Sequence, residues 1–305
     1  MNRKIIKLAE KTLVISLPSN WISLNELKKG DEIDISILDN KLLLSPLNKK
    51  PEIKQITIDI KGISERILRW EIASLHKQGY DEIIITSYNE EQVKTIEDLI
   101  DNLFIGFIIK QKTNLKLIIG QIAVTDANEF DSALRRTFRQ LITMSEEMYE
   151  SIKNQDNLLL LNQINLEHEN NKLTNFCCRL LNKNLREKED GHFWYMLAWN
   201  LETIGDSFKY IAKHYKVKIP KVSNKLLKFI QEVNNYLKLY YECFYNFSFN
   251  KLVEANDIKI KLEEDFINLL ENSPKEELVL LHNYHMILTE TTDFSGSMIA
   301  LRHRK

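Results

Sequence analysis

Glycine is scarce in this 305-residue chain. There are eight, and no two lie closer than the fourteen positions from Gly106 to Gly120 or from Gly191 to Gly205. That spacing excludes GxGxxG, GxxxxGK[ST] and GxSxG, so nucleotide-cradling loops and the nucleophile elbow lose their commonest sequence supports. Cysteine is scarcer still. Cys177, Cys178 and Cys243 are too few for a disulfide framework and lack CxxC spacing, which leaves buried or idle thiols as the plain reading. No uncharged run reaches the roughly 18 apolar residues that a membrane span needs. The opening MNRKIIKLAEK has no apolar signal-peptide core, so a soluble cytoplasmic protein is expected. Net charge is −1, which denies the whole chain a general attraction to nucleic acid.

What is present is apolar material: 44% hydrophobic residues beside 28% charged ones can build two or three cores. Charge is also uneven. Residues 1–11 set Arg3, Lys4, Lys7 and Lys11 against Glu10 alone.

The first fifty residues alternate. In KTLVISLP, Leu13, Ile15 and Leu17 face one way and Thr12, Val14 and Ser16 the other, the period of a half-buried strand. Pro18 ends it, SNWISLNELKKGD supplies a helical turn and a Lys-Gly-Asp turn, and EIDISIL and KLLLSP flank a hairpin turn at Asp39-Asn40. Four short strands cannot bury both faces alone, and a second copy of the chain is the simplest missing half. Residues 48–51 read as a linker.

Residues 51–124 read as βαβαββ, with a first helix capped at or beside Ser64 and ended by Gly79, and a closing hairpin about Thr113-Asn114. Helical periodicity then runs to the end. Helices are expected from an Asp126/Glu129 capping pair, over about 157–187 and about 190–214, and, after Pro220, over about 222–247 and about 250–271. A sixth is expected with Ser273 at its N-cap, Pro274 next and Glu276 in its first turn. Three helices, a proline break and three more suggest a duplicated unit.

In NLETIGDSFKYIA, Glu202 and Asp206 stand four apart with Gly205 between them. Like charges at that spacing repel by a few tenths of a kcal/mol, roughly, and glycine costs a helix interior about 1 kcal/mol. Trp194, Leu197, Leu201, Ile204, Phe208 and Ile211 make the bundle-facing stripe. At about 100° per residue the two acids share an outward face about 40° apart. A solvated face is the plain reading. The sharper one is a pair of oxygen ligands for a hard cation or iron, with Gly205 admitting a close neighbour.

LAWNLETIGDSFKYIAKH resembles the signature of the PhoU repeat, Leu-Glu-Arg-Ile-Gly-Asp-His-Ala, with Thr203 in the arginine position. NLEHENNKLTNFCCRLL resembles the glutamate-rich helix of the same repeat, with Glu167 in the glutamate position and Asn171 where an aspartate is usual. HMILTETTDFSGSMIAL resembles the closing helix of a second repeat, with Glu290 and Asp293 three apart. TLVISLPSNWISLNELKKGDEIDISILDNKLLLSP resembles the AbrB/MazE/SpoVT swapped-hairpin domain, and HKQGYDEIIITS the α/β insert of archaeal phosphate-uptake-regulator-like proteins.

The resemblance implies a multidomain α+β protein: a swapped-hairpin DNA-binding and dimerisation domain over 1–48, an α/β connecting domain over 51–124, and a six-helix PhoU-like bundle over 125–305, with repeats of about 125–217 and 222–303. It implies a non-enzymatic regulator of phosphate uptake, homodimeric and cytoplasmic. One form acts on DNA through Arg3, Lys4, Lys7 and Lys11 and senses metal or phosphate state through its helices. The other uses the hairpin domain only to dimerise and acts on a phosphate transporter or its signalling partners. It further implies iron or zinc held by surface carboxylates, here Glu167, Glu202, Asp206, Glu290 and Asp293.

Other features carry plainer readings. His282, His285 and His168 read as exposed or capping histidines, and HENNK is not HExxH because Lys172 stands in place of the second histidine. Arg135, Arg136 and Arg139 read as a solvated basic face, with a phosphate or DNA role as the alternative. The aromatic run YYECFYNFSF, 240–249, reads as core, with partner docking as the alternative.

Overall fold

The computed structural model describes residues 2–8, 11–38, 41–47, 53–122, 129–184 and 190–303. The chain divides into two compact units, residues 1–53 and 54–305. The fold is mixed α+β, with small sheets and a predominantly helical C-terminal region.

In the first unit, strands β1 (Ile6–Lys7) and β2 (Leu13–Val14) form one short antiparallel pair, in the register Ile6↔Val14. The strand expected across KTLVISLP therefore shortens to two residues. Helix α1 (Ser19–Leu24) follows Pro18. Strands β3 (Ile33–Leu38) and β4 (Lys41–Pro46) pair antiparallel with Ile35 opposite Leu44 and Ile37 opposite Leu42. That register puts Ile33, Ile35, Ile37, Leu42 and Leu44 on one face, since side chains alternate along a strand. The Asp39-Asn40 turn and the linker at 48–51 lie outside the described residues.

The second unit begins with β5 (Gln55–Asp59), α2 (Glu65–Lys77), β6 (Glu82–Thr86), α3 (Glu90–Leu103), β7 (Phe107–Lys112) and β8 (Leu117–Gln121). This is the expected βαβαββ order. The sheet runs β5-β6-β8-β7, with β5 and β6 parallel and the other neighbours antiparallel. Its core joins Ile83 and Ile85 of β6 to Leu68 and Ile72 of α2 and Val93 and Ile96 of α3. Ser64 sits at the N-cap of α2 without a side-chain cap bond, whereas Asn89 and Gln92 make a reciprocal capping box at α3. Gly79 follows α2 at φ +83°, a conformation that L side chains rarely adopt, and a Cβ there would meet Lys183 Cγ at 2.7 Å.

Helices α4 (Glu129–Asn154), α5 (Asn157–Asn184) and α6 (Gly191–Tyr215) precede Pro220, and α7 (Asn224–Tyr245) and α8 (Phe249–Asn272) follow it. Asp126, expected in the first cap, is outside the described residues. The sixth helix departs from expectation. Ser273 closes α8, Pro274 precedes a 3-10 turn at Lys275–Glu277, and α9 (Leu278–Thr292) starts only after it. Asp293 then separates α9 from α10 (Phe294–His303). One continuous core links all the long helices, with Phe138 meeting Phe244 at 5.2 Å and Phe294 at 5.6 Å between ring centroids. Phe244 thus draws the aromatic run into the core.

The α/β layer and the helices form one compact unit, and Arg179 of α5 shows how. It is 1% exposed. Its guanidinium donates to the carbonyls of His76 (3.0 Å) and Tyr80 (2.7 Å), to Asp81 Oδ1 (2.8 Å) and to Gln121 Oε1 (3.0 Å). Burial pushes its pKa down to about 10, and Asp81 opposes that fall. A guanidinium this deep is tolerated because its donors are met and Asp81 balances its charge.

Candidate functional site

Two places concentrate the residues singled out from sequence. The first is the N-terminal unit. None of its described residues is buried. Ile5, Leu8, Leu13, Ile35, Ile37 and Leu42 are all largely exposed. Arg3, Lys4, Lys7 and Lys11 are exposed as well, and they cluster on β1 and the segments beside it. The hairpins thus present apolar side chains without a covering layer, next to four free-standing cations. None of the four has an ion pair among the described residues.

The second place is the seam between α5 and α6. The stripe Leu197, Leu201, Ile204, Phe208 and Ile211 is fully buried, as the helical period requires. Glu202 and Asp206 are less solvated than an outward face would be: their side chains are 22% and 29% exposed. Each faces a lysine. Glu202 lies 3.5 Å from Lys77 of α2. Asp206 accepts from Lys209, and the same ammonium donates to Glu167 Oε1 of α5 at 2.6 Å. Glu167 is 1% exposed and also accepts from Asn171 Nδ2 at 2.6 Å. Burial pushes the Glu167 carboxyl above its ordinary pKa, and Asp206 beside it adds to the rise while Lys209 opposes it. Burial pulls Lys209 down, but its two carboxylate partners outweigh this and hold it above its ordinary value.

Gly205 has a visible reason. A Cβ there would stand 2.6 Å from Asn170 Nδ2, which donates to the carbonyl of Leu201 at 3.2 Å. The glycine lets the Asn170 amide of α5 rest against the α6 backbone.

Iron or zinc does not fit this arrangement. Glu167 and Asp206 converge, but their shared space holds the Lys209 ammonium, and Glu202 turns to Lys77. Asn171 offers Glu167 its NH2 group, a donor where a metal centre wants an oxygen. One oxygen of Glu167 and one of Glu202 lack a hydrogen-bond donor, too few to make a ligand set. Among the described residues no three His, Cys, Asp or Glu side chains gather as a metal site. Glu290 and Asp293 are on α9 and at its C-cap. Burial raises the Glu290 carboxyl, and the nearby Asp293 charge adds to it.

Several of the other candidates find structural partners. His285 stacks on Phe266 at 3.8 Å and lies 3.0 Å from Glu263. The three cysteines are free and buried, and burial raises Cys178 to about 12. Arg135 covers the Tyr245 ring at 4.1 Å, and Arg139 reaches the Tyr241 hydroxyl at 3.4 Å.

Sequence reasoning missed Lys77, Lys209, Asn170, Arg179 and His76. Only Lys209 carried a local signal, three residues after Asp206 on one helix. His76 is fully buried, stacked 4.3 Å from Phe104, and neither ring nitrogen has a hydrogen-bond partner. Burial, with Arg179 and Lys77 nearby, holds it well below the ordinary histidine pKa. No family model, curated protein or solved structure matches this chain. Among the described residues, no helix is long and apolar enough to cross a membrane.

Proposed function

We propose that the chain is a PhoU-like regulator of phosphate uptake that acts at DNA as a homodimer in the cytoplasm. The observation that carries this reading is the N-terminal unit: it buries none of its described side chains, exposes one apolar hairpin face, and holds four exposed cations on and around its first strand. Apolar faces without a cover are what a second copy would bury, and doubling the unit doubles the cations. The helices, grouped three before Pro220 and the rest after it, serve as the sensing part. Their carboxylate seam carries its own lysines, so the sensing role is assigned without a resident metal.

The test is fluorescence anisotropy on genomic DNA fragments recovered with the full chain, titrated across salt concentration. Each phosphate contact contributes about 0.9 to the slope of log affinity against log salt. Replacing Arg3, Lys4, Lys7 and Lys11 with Gln removes up to eight cations per dimer, so the slope should flatten by roughly 3–7. An unchanged slope and affinity would move the assignment to the second reading, an interaction module for a phosphate transporter whose hairpin unit only dimerises.

A further inference from the structure

A cavity of about 480 Å³ opens at one end of the helices, where the starts of α4 and α6 meet the ends of α7 and α10. Its size is that of a site for a small organic ligand. Trp194, Phe244, Tyr245 and Phe247 give it aromatic walls, and Arg135 and Arg302 bring two guanidinium groups. Both arginines lie over rings, Arg135 at 4.1 Å from the Tyr245 centroid and Arg302 at 5.7 Å from that of Phe247. Neither makes an ion pair among the described residues. A ring contact leaves the N–H donors of a guanidinium free, and that fork matches carboxylate and phosphate oxygens. Asp131 also lines the cavity, so the walls keep a net positive balance of one charge.

The aromatic walls pack on one another edge to face. Trp194 meets Phe244 at 81° and Phe244 meets Tyr245 at 83°. The Tyr245 hydroxyl is buried and has no hydrogen-bond partner.

We infer that this cavity binds a nucleoside monophosphate, its planar base against the aromatic walls and its phosphate between Arg135 and Arg302. The ring and the charge are needed together: aromatic walls without anion chemistry would leave two guanidiniums unused, and a bare anion would leave the walls wet. The inference stands apart from the DNA-binding reading, because none of its residues belongs to the N-terminal unit.

Isothermal titration of the full chain tests it with three probes: AMP, adenosine and inorganic phosphate. AMP should bind at least tenfold more tightly than either fragment. Arg135→Gln and Arg302→Gln should each weaken AMP at least tenfold. Arg136→Gln, on the same helix but outside the cavity, should leave it unchanged. Both arginines are exposed, so the variants should keep the wild-type melting temperature without ligand, and that melt is measured beside each titration. As a second readout, AMP should raise the melting temperature of wild type but not of the Arg135→Gln/Arg302→Gln pair. No AMP binding at millimolar concentration overturns the inference. So does equal loss in the Arg136 variant, which would mark AMP as a counter-ion of a general basic surface, or phosphate binding as tightly as AMP, which would leave the aromatic walls without a role.

Discussion

Replacing Ile37 with Lys should separate the two copies of the N-terminal unit. Ile37 stands on β3 in the apolar face of the hairpin, opposite Leu42, and is 77% exposed in the single chain. Full burial of an isoleucine side chain is worth about 1.5–3 kcal/mol. Covering the exposed share therefore contributes roughly 1–2 kcal/mol per copy, or about 2–4 kcal/mol in a symmetric dimer. That corresponds to about 30- to 1000-fold in the dissociation constant. The ammonium adds to the effect, since a lysine must keep its charge hydrated or desolvate it at the interface. Ser36→Lys is the control: Ser36 lies on the other face of the same strand, paired with Leu43.

Sedimentation velocity over a micromolar concentration series reads the outcome. Wild type and the Ser36 variant should sediment as dimer, and the Ile37 variant should shift to monomer within the same range. If Ile37→Lys leaves the distribution unmoved, the hairpin face is not what the second copy covers. If wild type is monomeric throughout, the coreless unit needs another partner and the reasoning fails at its first step.

The remaining predictions concern the second unit. His76 is held neutral, so the unfolded chain, with a histidine pKa of about 6.5, takes up the proton first. Its contribution to stability should be complete above about pH 7.5 and fall by up to about 1.4 kcal/mol per pH unit as pH drops below 6.5 toward the folded value; His76→Phe, which keeps a ring between Phe104 and Phe107, should flatten that fall in urea titrations at pH 5–7.5, and parallel slopes would refute it. Gly205→Ala gains about 1 kcal/mol of helix propensity but forces the Asn170 amide out of contact, for a net loss of roughly 1–3 kcal/mol; adding Asn170→Ala should recover part of that loss, and strict additivity in the double-mutant cycle would show that the contact is not the cause.

Much of the fold was legible because the apolar period changes cleanly. Alternation marks β3, and the 3-4 spacing from Leu197 to Ile211 marks the buried side of α6. One departure has a physical source, and one joint is not written in the local pattern. Ser-Pro-x-Glu at 273–276 carries the composition of a helix start, yet the Ser273 amide donates to Leu269 O at 2.8 Å and so completes α8 instead. The boundary placed near 124 follows a real change of period, but a change of period is not a gap in packing. Arg179 bridges it with four hydrogen bonds to residues 58–103 positions away in sequence, and nothing in the local pattern of α5 announces that.

The stretch around Glu202 and Asp206 shows the same limit from the energetic side. Read locally, it holds a repulsion of a few tenths of a kcal/mol and a glycine penalty of about 1 kcal/mol. Both are real, and both are answered by contacts that the local reading leaves out. Lys77 reaches Glu202 from α2, Lys209 holds Asp206 against Glu167 of α5, and Asn170 occupies the space that a side chain at 205 would need. The two acids are neighbours in sequence but serve different contacts, one toward the α/β layer and one along the α5–α6 seam. A cation does lie between Glu167 and Asp206, and it is the chain's own lysine. A tethered ammonium brings no separate association cost, since its translational freedom is already lost on folding. A soluble metal must therefore displace Lys209 before it can reach Glu167, which makes the seam a structural joint before it is a ligand site.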